Sequence, residues 1–400
     1  MIKLSFKTSI FLLLLSLVFA NTLYAQEKST TKKPTEKKPV VMLKHAPFAK
    51  KDCAACHTDK DGKSGKLIID GADLCFKCHD SYEKNDFIHG PVGAGACILC
   101  HNPHESENPK LLNNKSINNL CTTCHADKAT MLTSGDEIHP PVADSCINCH
   151  DPHAEKHKFQ LKADRQKDLC FMCHTDKKDI VENSKNKHGA IEMGDKCLGC
   201  HDPHSSPSPK LLKAEDSKTI CLTCHSASLP REEDGKMLMN MGEHLANNPD
   251  FHGPVMWGDC AACHNPHGSN NFRILKQPFP EKSAIKFTAD GYLCFKCHEP
   301  KKMTEKFTTE FTDFRNGKKN VHFLHVKTKR ISCKTCHDYH ASKDLPHHLK
   351  DKASFGTAKF SLRFVETPTG GSCNPICHTV RHYDRVNPVN VRNNKPLKNP

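Results

Sequence analysis

The 24 cysteines of this 400-residue chain fall into twelve pairs, and a histidine follows every pair at once. Eleven pairs read Cys-x-x-Cys-His: Cys53-Cys56-His57, Cys75-Cys78-His79, Cys97-Cys100-His101, Cys121-Cys124-His125, Cys146-Cys149-His150, Cys170-Cys173-His174, Cys197-Cys200-His201, Cys221-Cys224-His225, Cys260-Cys263-His264, Cys294-Cys297-His298 and Cys333-Cys336-His337. The twelfth, Cys373-Asn-Pro-Ile-Cys377-His378, carries one extra residue, and no cysteine is left over. Disulfides need no histidine. Paired cysteines on zinc give no reason for one after every second cysteine.

Cys-x-x-Cys-His is the attachment signature of haem c. Two thiols add to the porphyrin vinyl groups and the next residue offers an axial nitrogen to the iron. The expected cofactor is therefore covalently attached haem c, about twelve per chain, with the longer loop at Cys373 to Cys377 altering how those thiols are presented. Only 36% of residues are apolar and 6% aromatic, thin for a side-chain core of this size. Haem answers that shortage: with about 31 residues per motif, the macrocycles become the interior and the polypeptide their wrapping. The expected fold is mostly irregular with short α-helices and little or no β, built from six two-haem repeats.

The repeat is visible in the spacing. Within successive pairs of motifs the first cysteines lie 22, 24, 24, 24, 34 and 40 residues apart. A histidine precedes each unit by seven to nine residues: His45, His89, His139, His188, His252 and His325. Another follows the first motif histidine of a unit by three: His104, His153, His204, His267 and His340. A Lys-Leu-Leu stretch then recurs at Lys110–Leu112 and Lys210–Leu212.

On these motifs the chain, over roughly residues 45 to 382, resembles the doubled-CXXCH family of multihaem c-type cytochromes. The resemblance implies haems with two histidine ligands each, packed in a chain, in periplasmic or surface electron transfer. Similar proteins serve outer-membrane conduits. Beyond the twelve motif histidines, twelve distal ligands are needed, and the repeat supplies eleven. Unit one lacks its downstream member, since Thr58-Asp59-Lys60 follows His57. The remaining candidates are His157, His244, His322, His347, His348 and His382, or an open site; His322 lies off the eight-residue spacing that His325 keeps. A three-residue span reaches only about 10–11 Å. That is too short to pass round a haem edge, so His104, His153, His204, His267 and His340 are expected to serve neighbouring haems. The cluster Met237, Met239 and Met241 reads as apolar packing.

Lys3 and Lys7, the apolar run Ile10–Ala20 and Leu23-Tyr24-Ala25 read as a secretory signal over 1–25, so the mature chain is expected to be exported and without a transmembrane segment. Periplasmic location is the first expectation, extracellular or outer-membrane association the alternative. Residues 26–44 read as a disordered basic tether, 45–225 as an eight-haem region, 226–382 as a four-haem region with longer spacers, and 383–400 as a polar tail, either free or laid along the surface. The formal charge of +13 falls to +11 without Lys3 and Lys7. Propionates more than offset it once haem is counted, so the lysines suit propionates rather than nucleic acid. Expected partners are other redox proteins: periplasmic or outer-membrane cytochromes, or a porin–cytochrome complex. The leading expectation is an electron carrier without catalytic residues. The alternatives are a multihaem reductase with one open iron, at unit one or at Cys373, and a polymeric filament sharing a ligand between subunits.

Overall fold

Each motif folds into one tight turn, because the amide of the motif histidine reaches back to the carbonyl of the first cysteine, as in His57 to Cys53 at 2.8 Å and His174 to Cys170 at 2.9 Å. In the computed structural model, which describes residues 40–231, 235–288, 291–343 and 345–397, this turn is repeated along the chain. The signal segment 1–25 and most of the basic tether lie outside the described residues. At the twelfth motif the extra residue breaks the pattern, and the amide of His378 meets the carbonyl of Pro375 instead.

The second motif of each early unit ends a short helix: Ala72–Phe76, Ile117–Thr122, Asp168–Phe171 and Ser217–His225. Ser116 and Asp216 cap two of them, accepting from the amides of Asn119 (3.2 Å) and Thr219 (2.7 Å). The longest helices among the described residues, Thr175–Asn183 and Ser217–His225, have nine residues. No helix among those residues is long and apolar enough to cross a membrane.

Units are joined by two-residue antiparallel strand pairs. Leu43–Lys44 pairs with Glu105–Ser106, Phe87–Ile88 with Ala154–Glu155, Glu137–Ile138 with Ser205–Ser206, and Asp250–Phe251 with Ala341–Ser342. A bridge between Asn186 and Ser269 takes the equivalent place between units four and five. Buried serines hold these joints. The hydroxyl of Ser106 donates to the Leu112 carbonyl (2.7 Å), that of Ser269 to Leu275 (2.6 Å), and Ser206 does the same to Leu212.

Side-chain cores are small and lie late in the chain. Leu245, Val255 and Ala341 form one, Ala353, Phe360 and Leu362 another. Within 45–225 the buried apolar residues are Ala154, Leu161 and Val181. The C-terminal end also carries the longer strands: the hairpin Lys352–Phe355/Ala358–Ser361 and the sheet Val365–Thr367, Gly370–Cys373, Arg381–Asp384. Short helices and small scattered strands without a closed sheet agree with the expected fold class. Tyr383 lies inside the last strand, and the residues after it are latched. Asn316 donates its side-chain amide to the Val389 carbonyl at 2.7 Å and accepts from the Val389 amide at 3.0 Å.

Candidate functional site

All twelve motif histidines face a second histidine. The ring centroids are 6.1 Å apart for His79 with His45, His57 with His104 and His125 with His89. They are 6.0 Å apart for His101 with His153, His174 with His139 and His298 with His252. They are 6.2 Å apart for His225 with His188 and His201 with His267, 6.3 Å for His150 with His204 and 6.4 Å for His264 with His340. His337 faces His322 at 6.4 Å, and His378 faces His325 at 6.5 Å. Two metal–nitrogen bonds of about 2 Å, plus the half-width of each ring, give about 6 Å, so each pair has the span of two imidazoles on opposite sides of one iron. In ten pairs the rings are within 21° of parallel, while His322/His337 open to 28° and His325/His378 to 51°.

The pairing follows a rule. The upstream histidine of a unit faces the second motif of its own unit, as His89 faces His125. The downstream histidine faces the first motif of the unit before, as His104 faces His57 and His340 faces His264. No cysteine motif of the sequence precedes unit one, so a histidine three residues after His57 would have no first motif to face. The place without a downstream donor is the first motif of unit six, and there His322, three residues from His325 in the segment Val321–Thr328, stands opposite His337.

Hydrogen bonds point the rings. Nδ1–H of His101, His150, His201, His264 and His337 donates to the carbonyls of Lys110, Phe159, Lys210, Arg273 and His347 at 2.8–3.0 Å. His89, His139 and His188 donate to Pro152, Pro203 and Pro266 in the same way, at 2.9–3.1 Å. A donor at Nδ1 leaves Nε2 with its lone pair outward, the tautomer a metal ligand requires. The carbonyls that serve the first motifs are aimed by unusual backbone. Lys110-Leu111, Phe159-Gln160, Lys210-Leu211, Arg273-Ile274 and His347-His348 all have φ between 52° and 63°. Two successive non-glycine residues in the left-handed region are costly, and here they recur at the same place in five units. Unit one uses a glycine loop instead, with Gly62 and Gly65 at φ 67° and 66°, and Nδ1 of His57 is buried without a hydrogen-bond partner.

Burial keeps many rings neutral, as iron ligation demands. It pushes His322 down to about 3 and His267 and His340 to about 4, in the last case against the pull of the Asp338 carboxylate. His201, His225, His264, His298, His325 and His337 are lowered for the same first reason. The thiols are unpaired, and burial raises Cys336 to about 12. Cys170 is within hydrogen-bonding reach of Cys197, Cys221 of Cys260 and Cys294 of Cys333, so the end of one unit abuts the start of the next. One continuous cavity of about 6610 Å³ is lined by all 24 cysteines, about 550 Å³ for each motif, the size of a pocket for one small-molecule cofactor. The residues fit haem c.

The other candidate histidines face no motif histidine, although His348 and His244 lie edge-on to His252 and His340 at 5.6 and 6.3 Å between ring centroids. His244 Nε2 lies 3.7 Å from Asp338, His348 Nδ1 lies 3.5 Å from Asp250, and His347 Nε2 lies 3.2 Å from Glu366. His382 sits in the C-terminal sheet opposite Ser372, and His157 bridges to Leu161. Of the methionine cluster, Met241 packs on the Leu245 core, whereas Met237 and Met239 are exposed and border the cavity. The left-handed residue pairs have one trace in the sequence, the recurring Lys-Leu-Leu.

A family model described as the doubled CXXCH motif matches residues 45–84, 89–130, 139–179, 188–228 and 252–303, more than half of the chain. The chain is 28% identical over 269 residues to the multiheme cytochrome MtrA of Shewanella baltica (strain OS185). That alignment covers 61% of this chain and 57% of the relative, so the chain spans little more than half the length of the curated relative it matches.

Proposed function

Because the chain belongs to the doubled CXXCH motif family of multihaem c-type cytochromes, with covalently bound haem c and a role in electron transfer, we propose that it carries electrons along an unbroken row of twelve bis-histidine haems. The observation that carries this reading is the set of twelve facing histidine pairs, one for each cysteine motif. Haem supplies the one-electron chemistry. The polypeptide's part is to hold each Nε2 neutral and aimed, through backbone carbonyls at Nδ1, and to keep successive motifs abutting in chain order.

Every motif histidine has its partner within the same chain. That favours a carrier or conduit over a filament that borrows a ligand from a second subunit, and over a reductase that keeps one iron open. Location is proposed as periplasmic, or at the outer membrane, with other redox proteins as donor and acceptor. Two measurements on the purified holoprotein test the reading. The alkaline pyridine–haem spectrum is expected to give twelve haems per chain. Electron paramagnetic resonance of the oxidised protein is expected to be wholly low-spin. A stoichiometric high-spin signal would return the open-site reductase to first place.

A further inference from the structure

At the joints, the residue two before each downstream histidine does a structural job that asparagine and aspartate do equally well. The side-chain oxygens of Asn102, Asp151, Asp202, Asn265 and Asp338 accept from the amides of His104, His153, His204, His267 and His340 at 2.8–3.2 Å. The turn is the same at every joint, so it places no demand on charge at this position.

The charge nevertheless differs from joint to joint, and it lies beside a ring. Nδ1 of His153 is 3.4 Å from the Asp151 carboxylate, and Nδ1 of His204 is 3.9 Å from that of Asp202. Asp338 stands next to His340 and also meets His244. The facing motif histidines do not share this variation, since all of those in units two to five give Nδ1 to a neutral carbonyl. Other charges beside His204 and His267 are balanced, while Arg273 lies beside His340 together with Asp338. Lys128 and Asp127 beside His204 form their own ion pair at 2.9 Å, and Lys177 and Asp176 beside His267 one at 2.6 Å.

We propose that this Asn/Asp position sets the relative potentials of the first-motif haems, with carboxylates holding the haems of His101, His150 and His264 below those of His57 and His201. A carboxylate at the outer nitrogen makes imidazole a stronger donor, and its negative charge favours the oxidised iron. An asparagine oxygen keeps the turn and supplies neither effect. The inference rests on the bis-histidine reading above.

The test is a spectroelectrochemical titration of the full holoprotein, comparing Asp151→Asn and Asp202→Asn with Asn102→Asp and Asn265→Asp. Each Asp→Asn change is expected to move one haem's share of the absorbance to higher potential. At a fixed potential the reduced-to-oxidised ratio of that haem rises about tenfold, or about 59 mV for one electron. The Asn→Asp changes are expected to move one haem's share by a similar amount the other way. Superimposable curves would overturn the proposal, and so would shifts of one sign in all four variants. Loss of low-spin resonance in Asp151→Asn would also overturn it, by making Asp151 a structural support for His153. The haem count and low-spin spectrum of the parent protein test the underlying reading separately.

Discussion

In the first five units, both partner histidines of a unit sit at a strand joint shared with the unit after it; in the sixth, both come from one helical segment, Val321–Thr328, of the unit itself. The joint between units one and two shows the borrowed arrangement. The amide of His45 donates to the carbonyl of His104 at 2.8 Å, so the partners of His79 and His57 are held by a single hydrogen bond. His89 with His153 and His252 with His340 repeat it at 2.9 and 3.0 Å. Units that lean on a neighbour in this way need little apolar core of their own, and the N-terminal region has little. The sixth unit draws both partner histidines from its own segment, and it is there that the hairpin, the sheet and the Asn316 latch accumulate.

The contrast can be broken most directly at His322. In His322→Leu, one haem of unit six is expected to turn high-spin while the joints stay intact, read by paramagnetic resonance together with hydrogen exchange. In His153→Leu the same spectral change is expected with faster exchange at the joint between units two and three. If His322→Leu stays wholly low-spin, the last unit is not closed by that residue.

The second test concerns the cap. A Cβ on Gly370 would lie 2.0 Å from the carbonyl oxygen of Tyr383 in the neighbouring strand, so Gly370→Ala forces two strands apart. Overpacking of this kind costs about 1–3 kcal/mol. A lower midpoint of chemical unfolding confined to signals from the C-terminal region is the expected result.

Asp216 caps a helix at the edge of units four and five, and Asp216→Ala is expected to cost about 1 kcal/mol at neutral pH. Hydrogen bonds from Thr219 hold this carboxyl below its usual range. Its contribution is therefore complete above the unfolded value near 4 and lost as pH falls through the lower folded value, where variant and parent are expected to converge in an unfolding titration. The smallest effect is expected at the left-handed pairs. Lys210→Gly removes strain at φ 63° but adds chain entropy, for a net gain of about 0.5 kcal/mol, whereas Leu211→Val at φ 57° destabilises.

Much of the site was legible because spacing alone marks the histidines. His45, His89, His104 and the others of the repeat all stand opposite a motif histidine. What spacing did not convey was the offset. The missing histidine after His57 read as a defect of unit one, yet the unit that lacks an outside donor is the last. His322 was hard to read because it lies in a spacer with no sister copy to compare. The pairs such as Lys110-Leu111 contain neither glycine nor asparagine, so turn chemistry gave no warning of their backbone. The polar composition after Tyr383 hid the latch, since its holder, Asn316, is a single buried amide 73 residues from Val389.

The strand joints also impose an order in time. As the chain is made from its N-terminus, His57 must wait for His104, and His101 for His153. Each unit is therefore completed by the arrival of the next, and at every intermediate length the newest unit is the unfinished one. The sixth alone carries both partners ahead of its motifs, since His322 and His325 precede His337 and His378, which they face.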